Sequence, residues 1–199
     1  MKRVVIFLIL GITSSLFGQA VFMKKTTLLN FGLGVGQGYV RYWGVGYSST
    51  PYINVSFDHG VYDFPDVKGL SVGLGGYFGW RRTSYTFIDS WRDRHGRWHY
   101  SESVTSIWNY MELGFRPTIH YSFEGVKAEV YAGLPMGYTF VSHRWSNPDY
   151  NGVYYSRFGN FFGIGFQLGG RYFFSDRFGV FLEFGYFATY ANLGVSLKL

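Results

Sequence analysis

Hydrophobic and polar residues alternate one by one in eight separate parts of the chain. In the first part, Leu29, Phe31, Leu33 and Val35 share one parity, while Asn30 and glycines hold the other. A period of two is typical of a β-strand, because successive side chains point to opposite faces of a sheet. The eight alternating segments are residues 29–36, 53–58, 70–75, 111–119, 126–133, 162–171, 180–185 and 192–199. The pattern predicts an all-β protein with eight strands.

The joins between these segments alternate between short and long. Shorter joins are expected at 59–67, 122–125 and 174–177, and long polar loops at 85–103 and 142–157. The join at 44–50 is of middling length, and 187–190 is a tight hairpin. Transmembrane β-barrels of the outer membrane have short periplasmic turns and longer outer loops. We therefore expect an antiparallel up-and-down barrel whose even strand number leaves both termini on the periplasmic side.

The first twenty residues have the features of a secretory signal peptide. Lys2 and Arg3 precede an apolar run from Val4 to Phe17, and Gly18 and Ala20 are the small residues expected before a cleavage site. The run is too short for a membrane-spanning helix, which needs about 20 apolar residues. We expect residues 1–20 to be a signal peptide and residues 21–199 to form the barrel domain.

The apolar parity carries more large side chains than the interior of an eight-stranded barrel holds. The opposite parity is rich in glycine and serine, which suits a narrow lumen. An apolar face turned outward requires lipid, because soluble monomers rarely expose apolar patches larger than a few hundred Å². These arguments favour an eight-stranded antiparallel transmembrane β-barrel in the outer membrane of a Gram-negative cell. A soluble, lipocalin-like barrel with an apolar interior is the alternative.

Composition excludes several other classes. The chain has 199 residues with 28 glycines, is 23% aromatic and only 15% charged, and contains no cysteine. Such a composition excludes a disordered chain and a disulfide scaffold. The formal charge of +6 falls to +4 when Lys2 and Arg3 are subtracted with the leader, which gives no argument for a nucleic-acid partner.

Charged residues also occupy the polar parity of the last five segments. They are Glu112, Arg116, Lys127, Glu129, Arg171, Glu183 and Lys198. Charges in a confined lumen are costly unless they are paired. We expect a mutually neutralising network that plugs the barrel. The alternative is a narrow channel for ions or small solutes, in which these groups set selectivity.

The long joins supply candidates for contact with lipopolysaccharide, extracellular protein or glycan. These surface-loop candidates are Trp91, Arg92, Arg94, Arg97, Trp98, Trp145 and Tyr150. Loops are where binding residues concentrate. His95 and His99 stand near Asp93, but the arginines around them disfavour a cation site. We expect no metal and no other cofactor.

One pair of residues has the spacing of an acid–base site. His120 and Ser122 share a strand face, and this His-x-Ser spacing resembles that of outer-membrane lipid A deacylases, with Glu124 or Glu129 as an orienting carboxylate. Both residues fall at the periplasmic end, whereas the substrate of such an enzyme lies in the outer leaflet. A lipid A-modifying enzyme is therefore kept only as a third hypothesis.

The mature chain as a whole resembles the small eight-stranded outer-membrane barrels of the OmpX, OmpA-transmembrane and OmpW type, and especially the short barrels of Bacteroidota. The resemblance rests on the signal peptide, the hairpin from Tyr172 to Phe187, the segment from Met111 to Tyr121 and the terminal alternation ANLGVSLKL. It implies a non-enzymatic, porin-like cell-surface protein, anchored by outer-membrane lipid and monomeric.

Overall fold

Eight antiparallel strands close into a barrel in the computed structural model, which describes residues 20–36, 46–146, 159–186 and 189–199, and of residues 89–92 and 100–102 the backbone alone. The strands are β1 Thr27–Val35, β2 Tyr47–Ser49 with Tyr52–Asp63, β3 Leu70–Arg92, β4 Trp98–Ser122, β5 Ala128–Gly133 with Met136–Trp145, β6 Phe161–Ile164 with Phe166–Phe173, β7 Phe178–Tyr186, and β8 Ala191–Lys198. Each strand pairs with its neighbours in the chain, and β1 pairs with β8 to close the barrel. The predicted fold is confirmed.

The direction of the side chains also agrees with the predicted parity. Leu33 in β1 and Leu113 in β4 have 58% and 59% of their surface exposed, whereas Asp58 in β2 has none and Arg116 has 3%. Apolar side chains therefore cover the outside of the barrel and polar ones point into its lumen. This is the reverse of a soluble barrel, in which the apolar face turns inward.

The predicted long loop at 85–103 is wrong. The strands β3 and β4 continue through it and meet at a short turn, residues 93–97, with the pairing held as far as Arg92 and Trp98. β-branched and aromatic residues such as Thr86, Phe87 and Val104 favour strands. A two-stranded extension has no single buried face, so hydrophobic alternation could not reveal it.

Three breaks in the strands lie at residues 50–51, 134–135 and 165. The second follows from Pro135, which lacks an N–H to donate to the ladder. Its carbonyl is still used, because the Gly165 N–H donates to it at 2.8 Å. The barrel wall therefore stays continuous between β5 and β6 across both breaks.

One end of the barrel carries the short turns. The turn at 174–177 has the predicted bounds, while β2 runs on to Asp63, so that its turn to β3 covers 64–69. Gly69 in that turn has φ +82°, a conformation that glycine adopts without strain. The C-terminus and the first described residues, from Ala20, lie at this same end.

Residues 20–26 fold back into that end of the barrel. Phe22 is 1% exposed and packs in a buried cluster with Val21, Leu28 and Phe173. The Ser122 hydroxyl accepts the backbone N–H of Phe22 at 3.0 Å and donates to its carbonyl at 3.2 Å. The segment is thus fixed by both side-chain and backbone contacts.

Candidate functional site: the charged lumen

An arginine and two carboxylates from three strands meet at the centre of the lumen. Arg116 on β4 donates to both oxygens of Asp58 on β2, at 3.0 and 2.8 Å, and to Glu183 Oε1 on β7 at 2.9 Å. All three side chains are buried. A bidentate Arg–carboxylate pair is the strongest geometry available to these groups.

A second arginine extends this cluster toward the end with the short turns. Arg171 on β6 donates to Asp58 at 3.2 Å and to Glu129 on β5, and its guanidinium lies 4.6 Å from the centre of the Tyr131 ring. The Tyr131 hydroxyl donates to Glu183 at 2.7 Å. We call Asp58, Arg116, Glu129, Arg171 and Glu183 the central ion cluster.

The central ion cluster holds three carboxylates against two guanidinium groups. Neutral donors satisfy further carboxylate oxygens, since Asn192 donates to Glu183 at 2.7 Å and Asn30 donates to Asp58 at 3.3 Å. Removing two charges from water costs several kcal/mol per ion, and good geometry with additional hydrogen bonds is what offsets the cost. The cluster therefore crosslinks strands on opposite sides of the lumen.

Three of the predicted network residues lie outside this cluster, namely Lys127, Lys198 and Glu112. Lys127 pairs at 2.7 Å with Asp176, whose side chain is 92% exposed, in the turns at the barrel end. Lys198 donates to the backbone carbonyl of Val21 at 3.0 Å. Sequence reasoning missed Asp58, although it has the polar parity of its strand, because only the charges of the last five segments were considered.

A smaller polar group lies further from the short turns. Glu112 accepts a hydrogen bond from the Tyr52 hydroxyl at 2.8 Å, and the guanidinium of Arg81 lies 5.4 Å from the Tyr52 ring centre. Glu112 therefore points into the lumen, as predicted, and its carboxylate is hydrogen-bonded to Tyr52. Arg81, which the sequence analysis did not single out, is also buried.

Glycines make room for the inward aromatic rings. A side chain at Gly79 would overlap the ring of Tyr52, and one at Gly169 would overlap the ring of Tyr131. This explains why glycine alternates with large residues along the strands. The lumen therefore holds aromatic rings that stand over glycines as well as ions.

His120 and Ser122 both face the lumen, but each is hydrogen-bonded to other groups. His120 lies 2.8 Å from Thr118 Oγ1 and 3.4 Å from Glu129 Oε1, and Ser122 holds the backbone of Phe22. A nucleophilic serine needs its hydroxyl on a general base and open to substrate. The geometry gives Ser122 a structural partner instead.

Another serine and histidine meet at the opposite end. Ser106 Oγ on β4 lies 2.7 Å from His143 Nε2 on β5. Ser106 has no exposed surface, and the rings of Trp108 and Trp145 lie 5.1 and 4.8 Å from that of His143. An enclosed hydroxyl is not available to a substrate in this arrangement.

The turn between β3 and β4 is organised by Asp93. Its carboxylate accepts the backbone N–H groups of His95 and Arg97 at 2.8 and 2.9 Å and lies 3.1 Å from Arg97 Nε and 3.2 Å from His99 Nε2. Together these bonds hold the pKa of Asp93 below its usual range, and the hydrogen bond from the Arg97 backbone has the largest effect.

The predicted surface-loop contacts fall into three groups. Arg94 and Arg97 lie in the exposed turn, and Trp98 begins β4 with 57% of its surface exposed. Trp145 is half-buried beside Phe87, with ring centroids 6.1 Å apart. The remaining side chains, those of Trp91, Arg92 and Tyr150, lie outside the described residues.

The described residues show no group of three potential ligands that could hold a metal ion. A cavity of about 60 Å³ lies beside the central ion cluster, lined by Tyr52, Asn54, Arg116 and Glu183 among others. Among the residues whose placement is described, no helix is long and apolar enough to cross a membrane.

No protein-family model matches the chain, and no curated protein matches it either. Among solved structures, it is similar to Ail, the attachment invasion locus protein of Yersinia pestis, determined in complex with the heparin analogue sucrose octasulfate, with 10% identity, a TM-score of 0.43, and coverage of 88% of this chain and 96% of that one. It is also similar to the outer membrane protein OprG from Pseudomonas aeruginosa, with 9% identity, a TM-score of 0.49, and coverage of 91% and 99%. At these identities the likeness concerns the fold alone.

Proposed function

We propose that the chain is a monomeric, non-enzymatic integral protein of the outer membrane, exported by a signal peptide at residues 1–20. The observation that carries this proposal is the inverted polarity of the barrel, with leucines such as Leu33 outside and ions such as Asp58 fully buried. A closed barrel is also one of only two structures that satisfy every backbone hydrogen bond within lipid.

The outward apolar side chains support a lipid environment because they continue around the barrel. Phe31 on β1, Phe57 on β2, Phe115 on β4 and Phe184 on β7 each have 46–56% of their surface exposed. In water, burial of such area is worth about 25 cal/mol per Å², so exposing it would drive aggregation. In a membrane the same side chains anchor the protein.

We further propose that the lumen is closed to solutes. The central ion cluster joins strands from opposite sides, and the cavity beside it, at about 60 Å³, is small for any solute larger than water. The N-terminal segment around Phe22 supports the same role at the end with the short turns. A narrow channel is the alternative function.

The hairpin of β3 and β4 supports a role in surface contact. Thr86 and Thr105 still hydrogen-bond to Gly46 and Ser146, and beyond them its strands pair only with each other in the described part of the chain. It extends from the barrel end opposite the termini, which we propose to be the cell exterior. These strand edges, which no other described strand pairs with, and the exposed Trp98 suit an extracellular protein or glycan partner.

Refolding followed by electrophoresis and conductance recording tests the anchor and the plug together. The full chain without residues 1–20, refolded into detergent and lipid vesicles, should migrate differently before and after boiling, since a closed barrel resists the detergent. Planar bilayers containing it should show no steady conductance, with a general porin as the positive control. Large ohmic conductance steps would favour the channel hypothesis over a closed lumen. Equal gel migration before and after boiling would reject the closed barrel as the membrane anchor.

Lipid A modification is tested separately. Incubation of the refolded protein with lipid A, followed by mass spectrometry, should leave every acyl chain in place. Loss of acyl chains that Ser122→Ala or Ser106→Ala abolishes would contradict the non-enzymatic proposal and would identify which serine acts.

A further inference from the structure

The outward face of β3, β4 and β5 changes from apolar to polar at one level. Trp80 on β3 pairs with Met111 on β4, which pairs with Phe140 on β5, so that three large apolar residues form one row. Tryptophan and other aromatic residues are preferred at the edge of the bilayer. This row is the last purely apolar one in these three strands, counted away from the short turns.

Two outward arginines follow directly beyond it. Arg82 pairs with Asn109, which pairs with Ser142, and this row replaces the apolar one within two residues. Arg144 comes one outward position further on β5, opposite Ile107 on β4. From strand and residue spacings, the Cα atoms of the two arginines are about 12 Å apart.

Only some of the exposed cations in the described chain have a carboxylate partner. Lys68, Lys127 and Arg97 each pair with a carboxylate at 2.7–3.1 Å. For Arg82 and Arg144, as for Arg94 and Arg177, the residues that the structure describes provide no carboxylate partner. Arg82 and Arg144 are distinguished by their position directly beyond the last apolar row. Their outward neighbours in the two rows are instead amide or hydroxyl groups and an isoleucine.

We propose that Arg82 and Arg144 form a binding site for the phosphate groups of an outer-leaflet lipid. This site rests on the proposed function, because its row lies at headgroup level only when the apolar band is in a membrane. The guanidinium group forms bidentate hydrogen bonds with phosphate oxygens, and its charge persists at any physiological pH. Asn109 and Ser142 lie between the arginines and supply additional donors.

Arg81 and Arg82 are adjacent on β3 and point to opposite faces of the strand. Arg81 points into the lumen beside Tyr52, and Arg82 points outward. A partnerless cation at a headgroup surface is stabilised by lipid phosphate, whereas a partnerless cation in a lumen would be costly. The proposed phosphate therefore supplies the counter-charge that no described residue supplies to Arg82 or Arg144.

Native mass spectrometry of the refolded full barrel in micelles tests the site. The probes are bisphosphorylated lipid A, the same lipid A after dephosphorylation, and inorganic phosphate. The unsubstituted protein should bind the phosphorylated lipid at least about tenfold more tightly than the dephosphorylated one. The double variant Arg82→Gln, Arg144→Gln should lose this preference.

Arg177→Gln is the matched control, since Arg177 is an exposed arginine in a turn at the opposite end. It should keep the preference for phosphorylated lipid. Unchanged binding by the double variant, or equal binding of both lipids to the unsubstituted protein, would overturn the site. Equal occupancy by inorganic phosphate would assign a free-anion site instead. In each case the heat-dependent gel shift is measured on the same sample. A retained shift together with lost lipid preference means that the phosphate site alone has failed, whereas a lost shift means that the membrane anchor has failed.

Discussion

Phe22 and His120 stack face to face, with ring centroids 3.8 Å apart and ring planes at 21°. Tyr131 stacks on the imidazole as well, at 5.4 Å. The contact joins the first described residues of the chain to β4, and Ser122 on the same strand fixes the Phe22 backbone. The N-terminal segment therefore completes the interior of the barrel.

Phe22→Ala should lower the free energy of unfolding by about 3 kcal/mol, because truncating a buried phenylalanine loses apolar burial and leaves a cavity. Urea titration of the refolded protein in lipid vesicles measures it. The control is Met23→Ala, since the adjacent Met23 is 36% exposed and should lose less than about 1 kcal/mol. Equal losses for the two variants would contradict the buried position of Phe22.

Arg116→Met should destabilise the barrel by about 3–5 kcal/mol, because it leaves Asp58 and Glu183 buried with one cation fewer. Adding Glu183→Gln to this variant should recover part of the loss, since Glu183 loses its arginine partner in Arg116→Met, whereas Asp58 keeps Arg171. The measurement is again urea unfolding in vesicles.

Lys127→Met is the control for the central ion cluster. Lys127 pairs with the exposed Asp176 at the barrel end, and exposed pairs contribute about 0–1 kcal/mol. A loss as large as that of Arg116→Met would mean that Lys127 belongs to the lumen network after all.

The sequence predicted the barrel because one residue in two must face lipid along every spanning strand. It identified Glu112, Arg116, Glu129, Arg171 and Glu183 as lumen residues for the same reason. Which of these charges meet depends on the register between distant strands, and alternation carries no information on that register. The bond between Arg116 on β4 and Glu183 on β7 could therefore not be predicted.

Two features of the structure could not be predicted from the alternation of hydrophobic and polar residues. The segment around Phe22 precedes the first strand and has no period, so nothing marked it as part of the interior. The extension of β3 and β4 near Phe87 and Val104 lies beyond the apolar band, and a strand there is not required to have one apolar face. The first feature depends on contacts between segments far apart in the chain, whereas the second is a hairpin of consecutive strands without a one-sided apolar pattern.

The turn at Asp93 should depend on pH. Hydrogen bonds from the backbone of Arg97 and from its other partners favour the ionised carboxylate, so its pKa in the folded turn is lower than the value of about 3.9 for an unstructured aspartate. The stabilisation is thus complete above that value and is lost as the pH falls through the depressed pKa. The Gly96 N–H donates to the Asp93 carbonyl at 3.0 Å, and its protection against amide exchange, relative to an unstructured amide at the same pH, should fall in this window. Asp93→Asn should remove this pH dependence, and an unchanged profile would refute the role of the carboxylate.

Gly79→Ala should destabilise the barrel by about 1–3 kcal/mol, the usual range for overpacking. The added methyl group would overlap the Tyr52 ring, and moving the ring breaks its 2.8 Å hydrogen bond to Glu112. Gly159→Ala is the matched control, because no described residue lies within 4 Å of the position its side chain would take. Urea unfolding of both variants measures the difference. Since the hydrogen bond is lost along with the packing, Glu112→Gln should have a smaller additional effect in Gly79→Ala than in the unsubstituted protein. Strictly additive effects would indicate that Gly79 and the Tyr52–Glu112 pair act independently.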